Sequence, residues 1–249
     1  MKKILTIIII ALSVFLIYLG FKDKDLYYLS LGDSLANGMN TYGANDYGYN
    51  DYVKEFLNKE ERLDTFVNLA NNNNRSIDII KNIEENVKIN VDGKEKTLQN
   101  ALIKADIVTI SIGMNDLFSN ITFNNDFGIN DLYDKFDEVT LDIERLFKLI
   151  REYCKEEVVY LGIYNYLGEE ELNEFFDYAN AKLKKVAESY NIKYIDIYED
   201  FKNTDYFDSI NAYFPNKQGY ELIANKIITI IKEEIMKNAW FLLILFVII

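Results

Sequence analysis

The chain has 249 residues, of which 49% are hydrophobic and 27% charged. This is enough for one sizeable α/β domain plus a membrane segment, and two globular domains would be crowded. Its formal net charge of −13, from 27 basic and 40 acidic residues, disfavours nucleic acid and anionic lipid headgroups as general partners. A single cysteine, Cys154, excludes an internal disulfide and a cysteine-based metal cluster. Its apolar-periodic surroundings predict a buried structural thiol. The sequence predicts no metal site and no cofactor.

The first 24 residues are predicted to form a signal anchor outside the folded domain. Lys2 and Lys3 precede residues 4–21, an almost entirely apolar run that is long enough for a marginal transmembrane helix. No small-residue cleavage site follows this run. The positive-inside bias therefore predicts a cytoplasmic N-terminus and an extracytoplasmic domain at the cell membrane. A cleaved signal, which would give a secreted protein, is the alternative.

Strand-like and helix-like segments then alternate, which is typical of a parallel sheet covered by helices. The predicted strands are residues 26–31, 65–69, 106–112, 158–164 and 192–197. The predicted helices are residues 51–57, a helix from about 76, and residues 132–153, 170–190 and 218–235. Two stretches resemble insertions: residues 87–96, whose Asp92-Gly93 turn signal predicts a hairpin, and residues 120–130.

Residues 239–249 form a charge-free apolar tail about half as long as a helix that spans a bilayer. A soluble tail of this kind would be prone to aggregate, because it is apolar and contains no proline. We expect it either to enter the membrane that holds the N-terminal anchor or to pack on a partner's apolar surface. A tail without any role is the third alternative. The predicted domain therefore covers residues 25–238.

Three motifs are expected to meet at one edge of the sheet. Gly32-Asp33-Ser34-Leu35 follows the first predicted strand, which places Ser34 at the carboxyl end of that strand, where parallel sheets hold their sites. Gly113-Met114-Asn115-Asp116 follows the third strand, so that the Asn115 amide can donate a hydrogen bond at the same edge. Phe214-Pro215-Asn216, with the only proline of the chain, precedes the last helix.

This ordered set resembles the SGNH, or GDSL, family of serine esterases and acylhydrolases, over about residues 26–237. The chain is most similar to the bacterial lysophospholipase- and thioesterase-like branch. The resemblance implies a flavodoxin-like three-layer α/β/α sandwich with a five-stranded parallel sheet. It also implies that Ser34 stands at the nucleophile position and that the Ser34 N–H and Asn115 stand at oxyanion-hole positions. A glycine of the family's second block is replaced by Asn73, which keeps the N–H and tolerates a positive φ better than most residues.

The motif around Phe214 and Pro215 departs from the family pattern. Where the family has Asp-x-x-His-Pro, this chain has Asn211 and Phe214 in place of the aspartate and the histidine, and it contains no histidine at all. Phenylalanine cannot accept a proton, and asparagine cannot stabilise an imidazolium ion as a carboxylate does. Asp33, Asp205 and Asp208 are the candidates for another base. An ordinary carboxylate, with a pKa near 4, is a weak base toward a hydroxyl.

The sequence thus predicts a membrane-anchored SGNH-like protein that has lost its esterase activity and acts as a binding or interaction module. An acyl-ester or carbohydrate ligand would lie beside Ser34, in a cleft that Tyr213 and Phe214 close on one side. The alternative for Phe214 is simple apolar filling of the vacated space. Two other functions stay open. One is an active acyl-ester hydrolase with Ser34 as nucleophile and a non-histidine base. The other is a structural subunit of a membrane complex.

Overall fold

The computed structural model describes residues 25–119, 128–202, 204–208 and 213–248. The predicted anchor (1–24), most of the predicted insertion at 120–130, and Asn211 lie outside the described residues.

Strands and α-helices alternate along the described part of the chain. The strands are β1 (Leu26–Gly32), β2 (Leu63–Asn68), β3 (Lys88–Val91), β4 (Lys94–Thr97), β5 (Ile107–Ser111), β6 (Glu157–Leu161) and β7 (Lys193–Ile195). The helices are α1 (Tyr49–Lys59), α2 (Ser76–Glu84), α3 (Leu98–Lys104), α4 (Met114–Phe118), α5 (Ile129–Tyr153), α6 (Asn173–Ser189), α7 (Tyr198–Phe201) and α8 (Lys217–Ile248). Short 3₁₀ turns lie at Glu170–Leu172 and Thr204–Tyr206.

Five strands form one parallel sheet in the order β2-β1-β5-β6-β7. Every residue of β1 and of β5 is buried, as expected for strands that are covered on both faces. Helix α1 packs against α8, whereas α5 packs against α2, α3 and α6, so helices cover the sheet in two layers. The five-stranded parallel α/β fold predicted from the sequence is confirmed.

Strand β6 ends at Leu161, three residues earlier than predicted. The reason is a side chain from α6. The Asn180 Oδ1 accepts a hydrogen bond from the Ile163 N–H at 3.0 Å, and the Asn180 Nδ2 donates to the Ile163 carbonyl at 2.9 Å. Because this amide takes the place of a neighbouring strand, the chain leaves the sheet at Gly162 and turns toward the site.

Outside the main sheet, β3 and β4 form the predicted hairpin. Their two-residue turn consists of Asp92 and Gly93, with φ of 49° and 76°. Positive φ at both turn positions is the geometry that Asp-Gly favours. Cys154 is buried, as predicted, and burial raises the pKa of its thiol.

The last helix is longer than predicted. The sequence predicts a helix over residues 218–235, whereas the observed helix runs from Lys217 to Ile248 and includes most of the apolar tail. No helix within the described ranges is both long enough and apolar enough to cross a membrane.

Candidate active-site cleft

The turn after β1 presents Ser34 at the carboxyl edge of the sheet. Gly32 has φ of +146°, and a Cβ at this position would lie 2.3 Å from the Ser111 carbonyl oxygen, so the turn requires glycine. The Asp33 N–H donates to the same carbonyl at 2.9 Å. Hydrogen-bonded turns follow Ser34, and the next helix, α1, begins only at Tyr49. Ser34 is half-buried, and neither its N–H nor its hydroxyl forms a hydrogen bond with a described residue.

A cleft of about 360 Å³ opens beside Ser34, within the usual size range of small-molecule sites. Its polar lining residues are Asp33, Ser34, Ser111 and Asn115. Its apolar and aromatic lining residues are Leu35, Ile112, Met114, Phe118, Leu161, Gly162, Ile163, Tyr164, Tyr166, Leu167, Tyr213 and Phe214. The lining is therefore mostly apolar, with a few polar groups contributed by the turn after β1, by the end of β5 and by the start of α4.

Phe214 lies in the wall of this cleft, together with Ser34. The segment that carries it is held in two ways. The buried Tyr164 hydroxyl donates to the Tyr213 carbonyl at 2.8 Å, and the Tyr166 and Tyr213 rings meet edge to face at 5.3 Å between centroids. The sequence motif thus brings Phe214 to the cleft that contains Ser34. That Phe214 stands where the family has a histidine stays a prediction. Its predicted partner, Asn211, lies outside the described residues.

Asn115 also lines the cleft, but its amide is already engaged. Both hydrogens of its Nδ2 point to backbone carbonyls, those of Asn72 and Asn74, each at 2.9 Å. The side chain therefore fastens the loop after β2 to the end of β5. Its donation to an oxyanion stays a prediction, and it would require one of these two bonds to be exchanged.

Asn73 is not brought to the cleft lining. It is exposed, and its N–H donates to the Asn71 Oδ1 at 3.1 Å in a local turn. Asn73 is also not among the residues with positive φ, so the tolerance of asparagine for that conformation is not used here. The loop is instead fastened to the turn after β1 through Asn71 and Asn74. The Asn71 N–H and the Asn74 Nδ2 both donate to the Gly32 carbonyl, at 3.0 and 2.9 Å.

Asp33 is the site residue whose environment the sequence did not predict. It is 4% exposed, and its Oδ1 accepts hydrogen bonds from the Ser111 hydroxyl at 3.0 Å and from the Leu35 N–H at 3.1 Å. Burial raises the pKa of the Asp33 carboxyl to about 7, although both hydrogen bonds oppose the shift. The expectation of an ordinary carboxylate is therefore wrong for Asp33. Its position within the motif gave no signal of this, because the shift comes from the packing around it.

The other two candidate bases lie away from the cleft lining. Asp205 and Asp208 are both exposed, and the Asp208 Oδ2 accepts a hydrogen bond from the Thr41 hydroxyl at 3.0 Å. This contact ties the loop after β1 to the segment that precedes α8. Neither residue is among those that line the cleft beside Ser34.

Asp116, which follows Asn115, has a structural contact of its own. Its carboxylate accepts hydrogen bonds from the N–H and the hydroxyl of Ser76, at the N-terminus of α2. A negative charge at this end of a helix is favourable. Burial raises the pKa of the Asp116 carboxyl, and the bonds from Ser76 oppose this shift. Asn115 and Asp116 thus together hold the chain between β2 and α2 against the end of β5.

Comparisons with known proteins agree with this fold. A family model described as "GDSL-like Lipase/Acylhydrolase family" matches residues 30–222. A Bacillus subtilis (strain 168) protein, "Uncharacterized protein YpmR", is 25% identical over 219 residues, which cover 82% of this chain and 81% of that protein. The lipase Lip_vut3 from a goat rumen metagenome superposes with a TM-score of 0.67 at 22% identity, over 82% of this chain and 96% of its own. Axe2, an acetylxylan esterase from Geobacillus stearothermophilus, gives 0.60 at 20% identity, over 82% and 93%.

Proposed function

The chain belongs to the GDSL-like lipase/acylhydrolase family, and on that premise we propose that it is a catalytically impaired member that binds an ester-like ligand. The observation that carries the proposal is the pair of Ser34 and Phe214 in one cleft. A serine hydroxyl needs an adjacent base to become nucleophilic, and a phenyl ring cannot serve as one. The Ser34 hydroxyl also has no hydrogen-bond partner among the described residues.

The Axe2 structures support the assignment of the lost positions. They include catalytic mutants in which an aspartate and a histidine, three residues apart in that protein, were each replaced by alanine. Asn211 and Phe214 have the same spacing in this chain, where they precede the last helix. We therefore assign these two positions to the family's orienting acid and general base, both of which this chain lacks.

The lining of the cleft favours an acyl chain as the ligand. Apolar side chains from α4 and from the segment after β6 form most of the walls, including Met114, Phe118, Ile163 and Leu167. Burying apolar ligand surface against such walls is favourable by about 25 cal/mol per Å². A carbohydrate would have to satisfy many hydroxyl groups in a cleft with few polar lining residues, and it is the second candidate ligand.

Blocking the cleft should weaken ligand binding. Met114 is partly buried in the cleft wall at the start of α4, and Met114→Trp would fill the space beside it. We expect the dissociation constant of a medium-chain methyl ketone, an ester isostere that cannot be hydrolysed, to rise at least about tenfold, equal to roughly 1.4 kcal/mol. Isothermal titration calorimetry on the detergent-solubilised protein measures this change.

The matched control for this substitution is Leu141→Trp, at a position on α5 that is 66% exposed and is not part of the cleft lining. It adds the same side chain without filling the cleft, so it should bind the ketone as the native protein does. Failure of the native protein to bind the ketone, or equal binding by both tryptophan variants, would contradict an acyl site. Tighter binding of an acetylated xylo-oligosaccharide than of the ketone would show that the cleft is a carbohydrate site.

We also propose that the protein is held in the cell membrane, with its domain on the extracytoplasmic side. The support is the apolar run at residues 4–21, preceded by Lys2 and Lys3, without a cleavage site after it. The apolar residues 239–249 would add a second contact with the same membrane. Because the net charge is −13, this association would depend on the apolar segments rather than on lipid headgroups.

Protease added to intact cells should therefore digest the domain, while a cytoplasmic marker protein in the same cells stays intact. After cell lysis without protease, the full-length chain should sediment with membranes and be released by detergent but not by high salt. Complete protection from the protease, or recovery of a soluble form that lacks about the first 20 residues, would rule out the anchored topology.

One observation favours the rival function, an active acyl-ester hydrolase with a non-histidine base. Asp33 lies in the cleft wall, and burial raises the pKa of its carboxyl to about 7. A general base works best when its pKa is near the working pH, so Asp33 is a better proton acceptor than an ordinary aspartate. The hydrogen bonds that its carboxylate accepts, however, come from Ser111 and Leu35 and not from Ser34.

A further inference from the structure

The cleft contains a second serine that the family motifs do not include. Ser111 is the last residue of β5, and it lies beside Gly32 in the parallel pairing of β1 with β5. Its hydroxyl donates to the Asp33 Oδ1 at 3.0 Å, and both residues line the same cleft as Ser34. A hydroxyl that donates to a carboxylate already has the arrangement of a nucleophile with its base.

We propose that Ser111 and Asp33 form a nucleophile–base pair, and that Ser111 rather than Ser34 reacts with activated acyl and phosphonyl esters in the cleft. The proposal rests on the proposed function in one respect, namely that the cleft admits an ester-like ligand. It deepens the rival hydrolase function, because it names both the nucleophile and the base.

The electrostatic surroundings of Asp33 suit this role. The titratable groups that face it are Asp116 on α4 and four phenols, contributed by α1, by β6 and the segment after it, and by α8. The phenols belong to Tyr49, Tyr160, Tyr164 and Tyr220. All of these groups are acids, so none of them supplies a positive charge that would stabilise the carboxylate. Asp33 is thus able to hold a proton near neutral pH, as a base must after it has taken one.

The chemical step balances without any additional group. With a fluorophosphonate, the Ser111 Oγ forms a bond to phosphorus, the phosphorus–fluorine bond breaks, and fluoride leaves. The hydroxyl proton passes to the Asp33 carboxylate and from there to water. With an acyl ester, the Ser111 Oγ forms a bond to the carbonyl carbon and the alcohol leaves with the proton that Asp33 held. Water then attacks the carbonyl carbon of the acyl-Ser111 intermediate while Asp33 accepts a proton from that water. The bond from this carbon to the Ser111 Oγ breaks, the acid leaves, and Asp33 returns the proton to the Oγ.

The test is covalent labelling of the full-length native protein with an alkyl fluorophosphonate, followed by peptide mapping. We expect the phosphonyl group on Ser111, and the Ser34→Ala variant should still carry the label at Ser111. Ser111→Ala should lose it. The matched control is Ser189→Ala, which removes an exposed hydroxyl at the end of α6 and should label at the native rate.

Asp33→Asn tests the base. The asparagine Oδ1 can still accept from Ser111 and from the Leu35 N–H, so the fold should be retained, but it cannot take a proton. We expect labelling at Ser111 to slow by at least about 100-fold, the lower range for loss of a general base. In the native protein the rate should rise about tenfold per pH unit up to about pH 7 and then level off, because only the Asp33 carboxylate form is active.

Three results would overturn the proposal: a label only on Ser34, no label on either serine, or a label on Ser111 whose rate is the same in Asp33→Asn. The native protein alone decides the first two, so the conclusion does not depend on whether a variant folds. Failure of the proposed function gives a different result from failure of this proposal: the protein would not bind the non-reactive ketone. If the protein binds the ketone but is never labelled at Ser111, the proposed ligand site stands and the proposed nucleophile–base pair is wrong.

Discussion

The full-length protein is expected to show no Ser34-dependent hydrolysis of short acyl esters. A serine hydroxyl with neither an imidazole nor another hydrogen-bonded base is a poor nucleophile, and Phe214 offers no proton acceptor in the cleft. In a well-studied serine protease, loss of the histidine alone lowers kcat by about 10⁶. Initial rates with p-nitrophenyl acetate and butyrate, compared between the native protein and Ser34→Ala, measure the effect.

The two proteins should differ by less than about twofold, and an active esterase of the same fold should be assayed in parallel to validate the substrates. The residual rate over the uncatalysed reaction is still informative. Oxyanion donors and binding alone can leave about 10³–10⁴ over water. Turnover well above this range that disappears in Ser34→Ala would show a working triad substitute and contradict the proposal of impaired catalysis.

Much of the fold follows from local sequence patterns. Strand β5 was predictable because its apolar run is continuous, as required of a strand that is buried on both faces. Helix α5 was predictable because Leu132, Phe136, Val139 and Ile143, all buried, recur at helical spacing. The hairpin of β3 and β4 followed from the Asp-Gly turn, whose two residues adopt positive φ. Each of these elements depends mainly on residues close together in the chain.

The errors occurred where a distant side chain decides the local structure. The end of β6 depends on Asn180, which lies 17 residues beyond Ile163 and replaces a strand neighbour with its amide. No pattern within residues 158–164 contains that information. The turn after Ser34 is similar, because contacts from α8, including the bond from the Tyr220 hydroxyl to the Met39 carbonyl at 2.6 Å, hold that segment.

In the site, as in the fold, the motifs predicted which residues meet but not how they are packed. The motifs placed Ser34, Asn115 and Phe214 in one cleft, because the carboxyl ends of parallel strands meet at one edge. The motifs did not show that Asp33 is buried among acids, that Ser111 donates to it, or that Asn73 lies outside the cleft lining. A resemblance in motifs predicts positions, whereas protonation and hydrogen bonding depend on the side chains packed around each position.

Introducing the aspartate and the histidine of the family pattern should give the protein ester hydrolysis. In the double variant Asn211→Asp, Phe214→His, the imidazole would stand in the cleft wall with Ser34, and the carboxylate would orient it. The hydrogen bond from Tyr164 to the Tyr213 carbonyl holds the segment that carries position 214, so the new side chain starts from a defined backbone. We expect kcat/KM for p-nitrophenyl acetate to rise by about 10²–10⁴ over the native protein, the range that general-base catalysis contributes.

Neither single substitution should achieve as much. A histidine without its carboxylate lacks the preferred tautomer and orientation, and a carboxylate without the histidine has nothing to orient. Adding Ser34→Ala to the double variant should remove the gained activity, and the fluorophosphonate label should then remain only where Ser111 carries it. Recovery of activity would show that the cleft has the geometry that catalysis needs around Ser34 and Asn115 and lacks only a histidine base for Ser34. A folded but inert double variant would instead mean that the hydrogen bonds from Asn115 to the Asn72 and Asn74 carbonyls are permanent. In that case the oxyanion hole is closed, and the function of a structural subunit in a membrane complex accounts better for the chain.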